Sequence, residues 1–195
     1  MKKTSSFIIF LFLSIIFLSP CPAKETKQRS LEAIEFLGGF GWGKLREREN
    51  YNLYPLVIDL DFNLKALLAR KFNFNPPQLL QFQIEPFISP VSSPDTNVET
   101  GTAFFFKAGI LPQTSKLQPY IKAGLGMVYI TQQTREQSTQ FNFMEQAGVG
   151  MHYFFSKNTA FTLESRARHL SNAGIDHPNK GINTYFVLAG ITYQF

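Results

Sequence analysis

His169 and Ser171 are the residues of this 195-residue chain whose types and spacing point most directly to chemistry. They stand two apart, so in a strand they project from one face. A serine hydroxyl is a weak nucleophile until a neighbouring base takes its proton, and histidine is the common base. An isolated His-x-Ser is frequent by chance, and its ordinary meaning is two polar residues at a strand end. The residues after this pair are less ordinary. Ser171-Asn172-Ala173-Gly174 and then Pro178-Asn179-Lys180-Gly181 form a dense run of turn formers and amide donors.

The elements that must position these residues alternate with period two, the strand period. Leu56, Ile58, Leu60, Phe62 and Leu64 share one parity, with Asp59, Asp61 and Asn63 between them. Ile121, Ala123, Leu125, Met127 and Tyr129 oppose Lys122, Gly124 and Gly126. Eight such segments are expected, near 30–42, 54–66, 78–90, 100–111, 118–131, 141–155, 159–171 and 183–195. A soluble sandwich would bury the apolar parity, whereas a membrane barrel turns it to lipid and keeps the polar parity in its lumen. Three features favour the barrel. The segments have about the 9–11 residues that cross a bilayer at a tilt. Charges and glycines recur on the polar parity. Tyr185, Val187, Ala189, Ile191, Tyr193 and the terminal Phe195 share the other, like the assembly signal of outer-membrane barrels. The expected fold is all-β, an eight-stranded antiparallel transmembrane β-barrel.

The chain begins like an exported protein. Lys2 and Lys3 precede an apolar run from Phe7 to Leu18, and Cys21-Pro22-Ala23 offers a small-residue cleavage site. A transmembrane helix needs about 20 apolar residues, more than this run provides. Cys21 could instead be a lipoprotein cysteine, although Pro20 before it fits poorly. The reading is a signal peptide at 1–23 and a barrel domain at 24–195, located in the outer membrane. Cys21 is the single cysteine, so the mature chain has no disulfide framework and no thiol chemistry. Loss of Lys2 and Lys3 takes the formal charge from +5 to +3, too mild a balance to argue for nucleic acid. No metal-ligand spacing, phosphate loop or cofactor motif stands out.

Short turns near 67–77, 112–117 and 156–158 alternate with more loop-like links at 43–53, 91–99, 132–140 and 172–182, as periplasmic turns alternate with extracellular loops. Both termini are then periplasmic, and β-strand 159–171 rises to an extracellular rim. Thr162, Glu164, Arg166 and Arg168 take the lumenal parity. Phe161, Leu163 and Ala167 take the lipid parity, and His169 and Ser171 share it. Glu164, Arg166 and Arg168, together with Lys107 and Lys122, are expected to take part in lumenal ion pairs. His152 is read as a lumenal structural residue, Trp42 as part of an interfacial girdle, and Asp176 and His177 as solvated loop residues.

The stretch His-x-Ser-Asn-Ala-Gly followed by Pro-Asn-x-Gly, at His169, Ser171, Asn172, Ala173, Gly174, Pro178, Asn179 and Gly181, resembles the lipid A 3-O-deacylase family of outer membranes, the PagL type. Residues, spacing and position before the last strand all agree. The resemblance implies an esterase that removes the 3-linked acyl chain of lipid A in lipopolysaccharide. His169 is then the base and Ser171 the nucleophile. The Asn179 side chain and the Gly174 N–H become the donors to the tetrahedral oxyanion. No cofactor or metal is implied, and a homodimer stays open.

One residue departs from that family's pattern. Its well-known members carry Glu where this chain has Asn183. Asn cannot supply a negative charge, but it can accept a hydrogen bond and fix a histidine tautomer. The strand register offers another acid. A tight turn at 156–158 pairs Phe155 with Thr159, and counting back places Glu145 across from His169. Its parity matches Phe143, Ala147, Val149 and Met151. A carboxylate on an oily face is costly and is a functional candidate by default. Glu145, Asn183 or neither could orient His169. Two other functions remain: a non-catalytic structural or adhesive barrel that lacks the acid, and an esterase for another membrane lipid.

Overall fold

The alternation becomes strands long enough to cross a membrane. The computed structural model describes residues 30–45, 50–132 and 134–195. The expected leader at 1–23 lies outside them. In chain order the elements are β1 (Leu31–Lys44), β2 (Asn50–Leu53), β3 (Leu56–Asn63), α1 (Lys65–Phe72), β4 (Gln78–Ser93), β5 (Asn97–Pro112), β6 (Leu117–Ile130), β7 (Phe141–Phe154), β8 (Thr159–Ser171) and β9 (Ile182–Gln194). Each strand pairs antiparallel with its neighbours, and β1 closes the sheet on β9 from Ala33↔Gln194 to Gly43↔Thr184. β2 and β3 both lie between β1 and β4, so they are two halves of one stave. The result is an eight-stave closed barrel.

Two expected segments change. The stave expected at 54–66 starts earlier, at Asn50, and breaks at Tyr54-Pro55. Pro55 has no N–H for the ladder. At the break the Tyr54 N–H reaches the Pro90 carbonyl at 2.8 Å, and the Gly39 N–H reaches the Pro55 carbonyl at 3.2 Å. α1 takes up the last residues of the stave expected at 54–66 and the first half of the link expected at 67–77. Lys-Ala-Leu-Leu-Ala-Arg-Lys is a run of strong helix formers. It stops where Asn73 turns left-handed (φ 52°) ahead of Pro76 and Pro77, with Arg70 and Lys71 suited to the helix C-terminus.

Burial is inside out relative to a soluble sheet. Phe106, Leu125 and Val149 are 63%, 61% and 58% exposed, while Lys107 and Glu164 are each 1% exposed. Only a lipid solvent makes that stable, because each buried charge must find a partner within the barrel. They do. Lys107 Nζ meets Glu35 at 2.5 Å and Asp61 at 3.1 Å. Lys122 Nζ meets Glu164 at 3.0 Å and Glu85 at 3.2 Å. Arg166 holds Glu85 and Glu164, and Arg168 reaches Glu99 at 2.7 Å. The expected lumenal ion pairs therefore form, most of them with carboxylates from strands that are not adjacent in the sheet. His152 joins this interior through Thr162 (2.8 Å) and stacks on Tyr120 at 4.6 Å. A Cβ on Gly150 would stand 2.4 Å from the Tyr120 ring, so the glycine makes room for that stack. Side chains fill the lumen. Two voids within it measure about 20 and 10 Å³, one water each at most.

Candidate active site

Three adjacent strands set one polar row into the apolar outer wall. β7 places Glu145 opposite His169 of β8, and β9 places Asn183 opposite the same histidine. The register counted from the 156–158 turn is the register observed. One step nearer the rim, Ser171 stands opposite Phe143. Glu145, His169 and Asn183 are all exposed on the face that carries Leu125, Phe143 and Tyr185.

The two neighbours of His169 are not equivalent. Nδ1 lies 2.6 Å from Asn183 Oδ1. An amide oxygen can only accept, so Nδ1 carries the proton and donates it, and Nε2 is left with its lone pair. Glu145 is in register across the strand gap, where paired Cβ atoms stand about 5 Å apart. Among the described residues no hydrogen bond joins it to the imidazole, and none joins Ser171 to His169. Gly181 packs on the other side of the ring. A Cβ there would fall 2.4 Å from His169 Cε1, and its φ is +74°. Both facts require glycine at the second Gly of the motif.

The loop after β8 is built around buried Asn172. Its side-chain oxygen accepts the Gly174 N–H at 2.9 Å. Its side-chain NH₂ donates to Ser138 Oγ (3.0 Å) and to the Asp176 carbonyl (2.9 Å). Its backbone N–H donates to Asn179 Oδ1 at 3.0 Å, which leaves the Asn179 NH₂ as that side chain's donor group. Ala173 (φ 55°) and Gly174 (φ 78°) are left-handed, which turns the chain sharply. Backbone bonds from Ser138 to Pro178 and from Lys180 to Glu136, each 2.9 Å, tie this loop to the β6–β7 loop. In the sequence Asn172 stands out only as part of a motif. Its place at the centre of the loop, and the part played by Ser138, depend on a contact between two loops that no local pattern records. Asp176 and His177 are exposed in the loop. The His177 N–H bonds to the Asp176 side chain at 2.8 Å.

Chemically, this is a histidine with its proton fixed on Nδ1, a serine two residues away, and a loop that presents amide donors. The histidine and serine lie on the outer wall of a closed barrel and the loop lies at its end, which defines an outer-membrane barrel with an outward-facing polar site. The sequence profile of the lipid A 3-O-deacylase (PagL) family matches residues 39–192, most of the chain, and the chain belongs to that family. The crystal structure of the outer membrane enzyme PagL superposes with a TM-score of 0.58 at 18% identity, covering 84% of this chain and 99% of that one. The crystal structure of Neisserial surface protein A (NspA) superposes with a TM-score of 0.60 at 11% identity, covering 84% and 96%. Both likenesses are of fold. No curated protein sequence matches the chain. The barrel resides in the outer membrane.

Proposed function

We propose that the chain is a serine esterase that removes the 3-O-linked acyl chain of lipid A. Ser171 is the nucleophile and His169 its base. The observation that carries this reading is the 2.6 Å bond from His169 Nδ1 to Asn183, which leaves Nε2 able to take the Ser171 proton. As Oγ attacks the ester carbonyl, the oxygen gains negative charge, and the Asn179 NH₂ is the first donor to it. The Gly174 N–H is the second donor once Asn172 Oδ1 releases it. Collapse expels the sugar oxygen, which takes the proton from Nε2. Water then hydrolyses the acyl-serine and frees a 3-hydroxy fatty acid. Asn183 fixes the tautomer, and Glu145 contributes the negative charge that Asn183 lacks as the imidazole becomes cationic. In this reading the end of the barrel that carries the 131–140 and 172–181 loops lies in the outer leaflet, where lipid A is.

The neutral Asn183 supports a second reading, a barrel that keeps the fold without the activity. Purified barrel incubated with lipid A separates the two. The esterase reading expects free 3-hydroxy fatty acid, and a loss of at least about 10³-fold in folded Ser171→Ala and His169→Ala barrels. Full activity in Ser171→Ala would overturn it. Release of fatty acid from phospholipid but not from lipid A would assign the same residues to a different substrate.

A further inference from the structure

We infer that α1 and the turn beside it, 113–116, form a basic and partly apolar shelf that binds the headgroup of an anionic phospholipid in the leaflet opposite the candidate active site. The inference rests on the esterase reading only for the name of that leaflet, the periplasmic one. α1 joins β3 to β4, so it stands at the barrel end away from the 131–140 and 172–181 loops. Its position is fixed from two sides. The Leu64 N–H bonds to the Leu80 carbonyl at 3.1 Å, and the Gln113 N–H bonds to the Pro77 carbonyl at 2.9 Å. Lys65 also bonds to the Gln113 side chain. Leu64 and Leu68 line one depression of the outer wall together with Phe106 and Ile121. α1 therefore lies beside the lipid-facing wall, not across the mouth of the lumen.

Two independent properties of the shelf point to a lipid headgroup. The first is apolar exposure. Leu67, Phe72 and Phe74 are 44%, 66% and 52% exposed, three large side chains in one short segment. Single exposed apolar residues are ordinary, but a cluster at the edge of a membrane wall suits the zone between headgroups and acyl chains. The second is charge. The segments at this end, 63–77, 112–117 and 155–159, hold Lys65, Arg70, Lys71, Lys116 and Lys157 and no Asp or Glu. Glu32, at the same end, is bonded to the amides of Asn63, Gln81 and Gln113. Among the described residues no carboxylate pairs with Arg70, Lys71, Lys116 or Lys157. The helix dipole accounts for Arg70 and Lys71 at the C-terminus of α1. It does not account for Lys116 on the next turn of the rim, nor for the exposed rings. Lys116 Nζ stands over the Tyr153 ring of the outer wall at 5.0 Å, so it too is turned to the lipid side.

A phosphodiester with net negative charge satisfies both properties. Its oxygens reach the cations, and its glycerol and upper acyl chain cover Leu67, Phe72 and Phe74. The stems of Arg70 and Lys71 can lie along the apolar surface while their charged ends reach the phosphate. A soluble anion would match the charge and leave the rings in water, which favours the lipid.

The test places a fluorescent reporter on the shelf. Trp42, the single tryptophan, lies on β1 at the other end, so Trp42→Phe/Phe72→Trp moves the indole to α1. The full barrel carries Ser171→Ala as well, so that no added lipid is hydrolysed. It is held in neutral detergent micelles and titrated with phosphatidylglycerol or phosphatidylcholine brominated high on the acyl chain. Each Lys or Arg near an anionic surface is worth about fivefold. Brominated phosphatidylglycerol should therefore reach half-quenching at a mole fraction at least about tenfold lower than brominated phosphatidylcholine. Arg70→Gln/Lys71→Gln should cut that ratio severalfold, and Arg70→Lys/Lys71→Arg should keep it, which separates charge from a role in folding α1. A ratio near one, or a ratio that survives the loss of both charges, would overturn the inference. Quenching by neither lipid would put α1 in water and overturn it as well. The measurement involves no hydrolysis, so its failure leaves the esterase reading standing, and failed hydrolysis leaves the shelf standing.

Discussion

At the scale of the residue, the proposed catalysis turns on what stands on either side of His169. Asn183 holds Nδ1, so Asn183→Ala should free the ring to flip and lose the tautomer. The expected loss in kcat is about tenfold or more, within the ~10²–10⁴ that a general base provides as a whole. In the proposed mechanism Glu145 acts through charge rather than through a hydrogen bond. Glu145→Gln should lower kcat by up to about 10²-fold, the ~3 kcal/mol of one charge about 5 Å away at an effective dielectric near 20. The two are linked. In the Glu145→Gln background, Asn183→Glu should restore the rate by putting the charge back on the neighbouring strand. Steady-state kinetics of the singles and the double decide it. A Glu145→Gln barrel as fast as the parent reduces Glu145 to a rim carboxylate.

At the scale of the element, the loop from Asn172 to Gly181 is what makes a polar strand end into a site. Gly181 lies against the imidazole, so Gly181→Val should push the ring out of line and abolish hydrolysis while the barrel still folds. Activity together with heat-modifiable gel mobility would check both halves. The facing of β8 and the pairing of Glu145 with His169 are legible in the sequence, because parity and a three-residue turn leave little freedom. The partner actually bonded to His169 is not. Glu145 and Asn183 flank the ring symmetrically in register, and side-chain rotamers choose between them. α1 is also hidden, since prolines at 76 and 77 mark a link without showing the helix that precedes them. Leu67 and Phe72 remain exposed on α1 beside the lipid wall. A helix of eight residues with that surface takes its stability from its surroundings rather than from its own propensity.

At the scale of the molecule, the barrel is a rigid frame with a filled interior. Charges that alternation assigns to the lumenal parity meet partners from four or more staves, and which meets which is a property of closure that alternation cannot reveal. Lys122 is a central member, bonded to Gln83, Glu85 and Glu164. Lys122→Met should destabilise the barrel by about 3–5 kcal/mol, the usual cost of leaving buried charges short of a partner. Urea unfolding in lipid vesicles measures this. Per-molecule hydrolysis by the folded fraction should be unchanged, because the frame and the outward site are separate parts of the wall.

The central claim is that this wall hydrolyses an acyl ester of lipid A through Ser171. Mass spectrometry of lipid A from cells with and without the expressed protein tests it most directly. The expected result is a species lighter by one 3-hydroxyacyl chain at the 3-position, present with the parent protein and absent with folded Ser171→Ala. Lipid A that is unchanged by well-folded parent protein, or changed equally by Ser171→Ala, would contradict it.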